Sequence, residues 1–150
     1  MLRDPNLIPL SHQHHNALAM CVLTRRSLRE DASPANVARL TRRAVDRYEL
    51  ELVNHFEIEE QILFPAIENV LGKLPLVAGL IAQHREVEEI VAQLRSAATA
   101  GLLERLCTLL ADHIRREESD LFQVAQSRLP APILRELGAA IERKVVRICL

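Results

Sequence analysis

The stretch HFEIEEQILF, from His55 to Phe64, returns later in the chain as HIRREESDLF, from His113 to Phe122, so the two share a His-x-x-x-Glu-Glu-x-x-Leu-Phe frame. On a helix, a histidine and a glutamate four residues apart lie one above the other, with β-carbons about 5–6 Å apart. Each copy therefore presents one nitrogen and one oxygen to a single metal ion. Two copies point to two ions.

Outward from this repeat, glycine and proline divide the chain into helical segments, because the stretches between them carry apolar residues at three- and four-residue intervals with almost no β-branched alternation. No strands are expected. The first helix is expected from an N-cap at Ser11 to about Glu30. Asp31-Ala32-Ser33-Pro34 reads as a turn and a new cap, with Pro34 suited to a first helical position, and the second helix runs to about Leu71. Gly72 to Pro75 closes it, a third helix extends from about Leu76 to Ala98, and Ala100-Gly101 breaks the chain before a fourth from Leu102 to about Arg128. Pro130 and Pro132 end that helix. Four long helices with short connections favour an up-and-down four-helix bundle, an all-α fold. In the remaining stretch, placed as an additional C-terminal helix at about 131–149, Leu134, Leu137, Ile141, Val145 and Ile148 form a narrow stripe. Such a stripe suits covering the bundle or pairing with a second chain in a homodimer.

Helical phase, about 100° per residue, says which side chains face inward. On the second helix Tyr48, Leu52, His55, Glu59, Ile62 and Ala66 share one otherwise apolar stripe, with Glu51 and Glu60 at its solvated edge. On the fourth, Leu106, Leu109, His113, Glu117 and Val124 do the same. On the third, Leu80, His84, Val87, Val91 and Leu94 are in phase, and Glu88 lies one turn beyond His84. The first helix offers His12, His14 and His15. Its apolar centre, set by Leu18, Cys21, Val22 and Leu28, favours His14 and keeps His15 in reserve. Gln13-His14-His15 also echoes Gln83-His84-Arg85.

An isolated His-x-x-x-Glu pair is ordinarily a surface ion pair. A glutamate on an apolar face is different, since burying it without a partner costs several kcal/mol, and the interior basic side chains that would pair with it are missing. Four inward histidines and two inward carboxylates therefore point to metal. Imidazole and carboxylate suit iron, manganese or zinc.

Composition bounds the rest. With 150 residues and 49% hydrophobic content the chain supports one domain, residues 1–150, with a substantial core. A net charge of −1 with no basic and aromatic cluster argues against nucleic acid as a partner. Two prolines and several polar residues in MLRDPNLIPLSHQHH argue against a secretory leader, and no apolar run is long enough to span a membrane, so a cytoplasmic protein is expected. Cys21, Cys107 and Cys149 are an odd number at wide, irregular spacing, which argues against a disulfide framework, and Cys21 and Cys107 read as small buried hydrophobes.

The motifs His55-x-x-x-Glu59-Glu60-Gln61-Ile62-Leu63-Phe64-Pro65 and His113-x-x-x-Glu117-Glu118, in order with His14 and His84, resemble the hemerythrin family, the HHE cation-binding domains, over about residues 10–128. The resemblance implies a hemerythrin-like bundle holding two non-haem irons, with His14 or His15, His55, His84 and His113 as terminal ligands and Glu59 and Glu117 as bridging carboxylates. Oxygen-carrying members place a second histidine four residues after the third-helix histidine; here that place is Glu88. The change disfavours reversible dioxygen transport, and either opens another coordination position or makes Glu88 an oxygen ligand. Tyr48, the only tyrosine, lies two turns before His55 and is a candidate to hydrogen-bond a ligand, to bind iron as phenolate or to protonate a bound peroxide. Three functions follow: binding of or reaction with dioxygen, peroxide or nitric oxide in sensing or stress defence, catalase-like or iron-donating repair catalysis, and an iron-responsive helical interaction module without turnover.

Overall fold

The structure, a computed structural model, describes residues 2–148, and every regular element among them is helical. A 3-10 turn at Pro5–Leu7 leads into α1, Ile8–Glu30; α2 spans 34–71, α3 is Pro75–Ser96, α4 spans 100–128 and α5 is Ala131–Lys144. The chain becomes helical earlier than Ser11 because the Asp4 carboxylate accepts the Asn6 backbone N–H at 2.9 Å, capping the turn that continues into α1. Ser33 caps α2 as expected, with Pro34 in its first turn, and Thr99 caps α4 by accepting from Leu102 N. Gly72 ends α2 at φ 80, a conformation that L side chains resist.

Contacts run from α1 to α2, α2 to α3, α3 to α4 and α4 back to α1, which is the cyclic order of a four-helix bundle. The core has two apolar halves. One contains Ala17, Leu52, Val87 and Leu110, and the other Leu10, Leu63, Leu80 and Leu121. On each helix the buried histidine falls between a residue of one half and a residue of the other, so the polar layer lies at mid-height with dry packing above and below. The helix α5 covers the second half with Leu134, Leu137 and Ile141. Its stripe therefore covers the chain's own bundle.

That stripe stops at Lys144, short of the expected end. The Asn54 amide replaces the next helical hydrogen bonds, donating to Lys144 O at 2.8 Å and accepting from Val146 N at 2.9 Å, and residues 145–148 continue without helix. Cys149 lies outside the described residues.

Two of the long helices, α2 and α4, slip phase. The segments Tyr48–Leu52 and Glu59–Leu63 in α2, and Glu117–Leu121 in α4, are wound as π-helix, with Phe64 N–H bonding Glu59 O and Phe122 N–H bonding Glu117 O. Each π turn holds one residue more than an α turn and moves the inward face on by one position. Hence Ile62, Ala66 and Val124, expected inside, are half-buried, while Leu63, Ile67 and Ala125 are buried. On α1 the inward line runs through Met20, Cys21, Thr24 and Leu28, leaving Val22 57% exposed.

Candidate metal centre

Among the described residues, two groups bring four ligand-type side chains together: His14, His55, Glu59 and Glu117, and Glu59, His84, His113 and Glu117. All six side chains are buried, and the carboxylates belong to both groups. Glu59 directs Oε1 to His55 Nε2 at 2.7 Å and Oε2 to His84 Nε2 at 3.0 Å. Glu117 directs Oε2 to His14 Nε2 at 2.8 Å and Oε1 toward His113 Nε2 at 3.5 Å. Each carboxylate thus spans two pairs of imidazoles.

The outer ring nitrogens are all engaged. His14 Nδ1 meets Glu118 Oε1 at 2.7 Å, and His84 Nδ1 meets Glu60 Oε1 at 2.7 Å. His55 Nδ1 meets Gln13 Oε1 at 2.9 Å, and His113 Nδ1 meets Gln83 Oε1 at 3.1 Å. The pattern has a two-fold logic: each glutamine precedes one histidine and supports another, and each outer glutamate follows one spanning glutamate and supports a histidine on a different helix. Because every Nδ1 faces an acceptor, the neutral ring keeps its proton there and leaves Nε2 for a metal, the tautomer a metal requires. Aromatic rings close the layer, with Phe56 stacked on His84 at 3.9 Å between centroids and Phe122 on His14 at 5.5 Å.

Without a metal the site is a knot of charge. Burial pulls His55 down, but the Glu59 charge and the hydrogen bonds that the imidazole donates to Glu117 and Glu59 outweigh it and push it up to about 10. Burial is likewise overcome at His14 by hydrogen bonds to Glu117 and Glu118, and at His84 by its bond to Glu59, so both are raised. Burial alone would raise Glu59; the His55 charge and bonds to three histidines hold it well below the usual carboxylate range. Both Glu59 oxygens and Glu117 Oε1 are buried with no well-formed hydrogen bond. Buried carboxylate oxygens are normally satisfied, so these orphaned acceptors, aimed among imidazole nitrogens, fit a cation.

The remaining sequence candidates stand apart from this cluster. His15 is exposed on α1, whereas His14 is buried. Glu88, one turn beyond His84, is outside as well: its carboxylate is drawn to the Arg85 guanidinium and lines a cleft with Tyr48, Phe56, Glu60 and Arg85. Tyr48 stands on the wall of that cleft under the Arg95 guanidinium, 5.9 Å from its ring centroid. Burial, then the Glu88 charge, raises its phenol, so it stays protonated. Glu51 and Glu60, read as solvated, are engaged: Glu51 is buried and accepts from Asn16 at 3.0 Å, and Glu60 holds His84 while paired with Arg85. The outer partners Gln13, Gln83, Glu60 and Glu118 were not anticipated, although all four are repeat positions, Gln before His and the second Glu of Glu-Glu.

Comparison with known families gives a match to the hemerythrin HHE cation binding domain over residues 8–125. No curated protein and no solved structure matches the chain. The buried histidine and glutamate groups and the all-helical fold agree with that match, and the chain belongs to the hemerythrin HHE cation-binding family, as a metal-binding helical domain.

Proposed function

We propose that the six converging side chains hold two iron ions and that the protein binds or reacts with dioxygen, peroxide or nitric oxide, in sensing or stress defence. The observation that carries this reading is the pair of spanning carboxylates, Glu59 and Glu117, each with one oxygen toward each imidazole pair. Two histidines and two carboxylate oxygens per ion is a donor set suited to iron, and it leaves positions free on a six-coordinate ion. A bound iron pair would supply electrons and open positions to a small oxidant or radical gas. The chain's part is to orient four imidazoles through Gln13, Gln83, Glu60 and Glu118, to balance two dications with carboxylates, and to exclude water with Phe56 and Phe122.

The test is metal analysis of protein from an iron-supplied culture, followed by optical spectra under argon, air, peroxide and nitric oxide. About two irons per chain and a spectrum that changes with at least one of these ligands is expected. One metal or none per chain, or a loaded protein indifferent to all of them, overturns the proposal.

A further inference from the structure

Away from the metal layer, Cys21 on α1 and Cys107 on α4 face each other inside the apolar core, 3% and 1% exposed. Cys107 Sγ lies 4.0 Å from the Cys21 carbonyl oxygen, so its thiol touches the backbone of the opposite helix beside the second thiol. The two thiols are also within hydrogen-bond reach of each other across the α1–α4 interface, the juxtaposition from which a disulfide forms. Arg25, one turn after Cys21, is tied by Nε to Glu104 at 3.0 Å and by Nη2 to Thr108 at 2.7 Å, residues on either side of Cys107. A fixed cation therefore stands at the edge of the thiol pair. We propose that Cys21 and Cys107 are a redox couple, converted by a hydroperoxide into a disulfide that ties α1 to α4.

The chemistry balances in two steps. The Cys107 thiolate attacks the peroxide O–O bond, giving a sulfenic acid and, after protonation, one alcohol or water. The Cys21 thiol then displaces hydroxide from that sulfur, forming the S–S bond and releasing a second water. Two sulfurs lose one electron each, and the peroxide takes both. The asymmetry of the pair fits these roles: the hydrogen bond from Cys21 lowers the Cys107 thiol, whereas the same contact and burial raise Cys21. Burial excludes bulky reagents, so the oxidant in this proposal is one the size of hydrogen peroxide. A resolving thiol in contact with the first captures the sulfenic acid before further oxidation.

The reaction needs no metal, so the assay is run on both metal-free and metal-loaded protein, in a Cys149→Ser background. One equivalent of hydrogen peroxide is added and free thiols are counted under denaturing conditions. The expected result is a fall from two thiols to none, a non-reduced peptide joining Cys21 to Cys107, recovery with dithiothreitol, and a higher Tm for the oxidised protein, whose new link closes an 86-residue separation. In Cys21→Ala, Cys107 is expected to be trapped by dimedone, and in Cys107→Ala, Cys21 is expected to stay unmodified. Two intact thiols in both metal states, or oxidation to sulfinic acid without a cross-link, overturns the proposal. The cross-link on the unsubstituted pair decides the matter even if a core alanine variant fails to fold.

Discussion

Glu59 touches two walls of the bundle at once, with one oxygen 2.7 Å from His55 Nε2 and the other 3.0 Å from His84 Nε2. A side chain shared in this way cannot be lost from one half of the centre alone. Glu59→Gln keeps the shape, removes the charge and replaces one oxygen by an N–H donor that no cation accepts. Metal content after dialysis against a weak chelator is expected to fall in both halves, to well below one ion per chain. Retention of one full equivalent would show that Glu59 serves a single ion.

The outer partners act at one remove. Gln13→Ala deprives His55 Nδ1 of its acceptor and should weaken metal affinity about 10–100-fold. Truncation after Lys144 should give a smaller loss of the same sign, because Gln13 Nε2 donates to Val146 O at 3.2 Å and to Asn54 Oδ1 at 3.0 Å, which itself accepts from Val146 N. Competition titrations with a chromophoric chelator measure both. Equal affinities in wild type and Gln13→Ala would remove this residue from the site's support.

Metal removal should cost much of the fold's stability, since ligand binding to the folded state alone stabilises it by about 4 kcal/mol at a thousand times Kd. For a chain of this length that corresponds to a Tm lower by about 10 °C. Calorimetry of chelator-treated and reloaded protein reads the difference. An unchanged Tm on complete removal would mean that the empty cluster holds itself together.

The empty cluster also has a signed pH dependence. His55, raised to about 10, contributes stability that is complete below its ordinary 6.5 and is lost as pH climbs through the folded value; His14 and His84 act in the same direction. Glu59, lowered, contributes above its ordinary 4.5 and loses that contribution as pH falls through its folded value. Metal-free protein should therefore be less stable at pH 9 than at pH 6. Metal must displace the imidazole protons, so loading should release protons and tighten as pH rises. Denaturant melts at the two pH values, with proton release measured in weakly buffered solution, test both statements; a metal-free protein more stable at pH 9 would contradict the first.

Gly138 on α5 sits against the N-terminal turn, where an added β-carbon would collide with Asn6 Oδ1 and lie 2.7 Å from Asn6 Cβ. Alanine gains about 1 kcal/mol of helix propensity, but forcing Asn6 aside costs about 1–3 kcal/mol. Gly138→Ala is expected to lower stability by about 1 kcal/mol in urea unfolding. A stabilised variant would show that α5 docks loosely.

The helices were legible because their signals are local: the Ser33-Pro34 cap, Gly72 with its positive φ, and three- and four-residue apolar spacing each depend on neighbours in the chain. The third-helix stripe through Leu80, His84, Val87, Val91 and Leu94 is buried as its phase requires, because α3 has no π turn to disturb it. The stripes of α2 and α4 drifted after Glu59 and Glu117, where one extra residue per turn is invisible to a fixed 100° step.

Spacing by itself determined that a histidine and a glutamate share a face on two helices, and that His84 and His14 point inward on two others, since backbone geometry alone relates residues four apart. Tertiary structure decided which oxygen meets which nitrogen. It gave Glu60 to His84 and Glu118 to His14, left Glu88 and His15 outside, and placed Tyr48 in a neighbouring cleft. Those pairings join residues up to 104 positions apart, and which of them form depends on how the helices are rotated against one another, a choice made by packing the whole core.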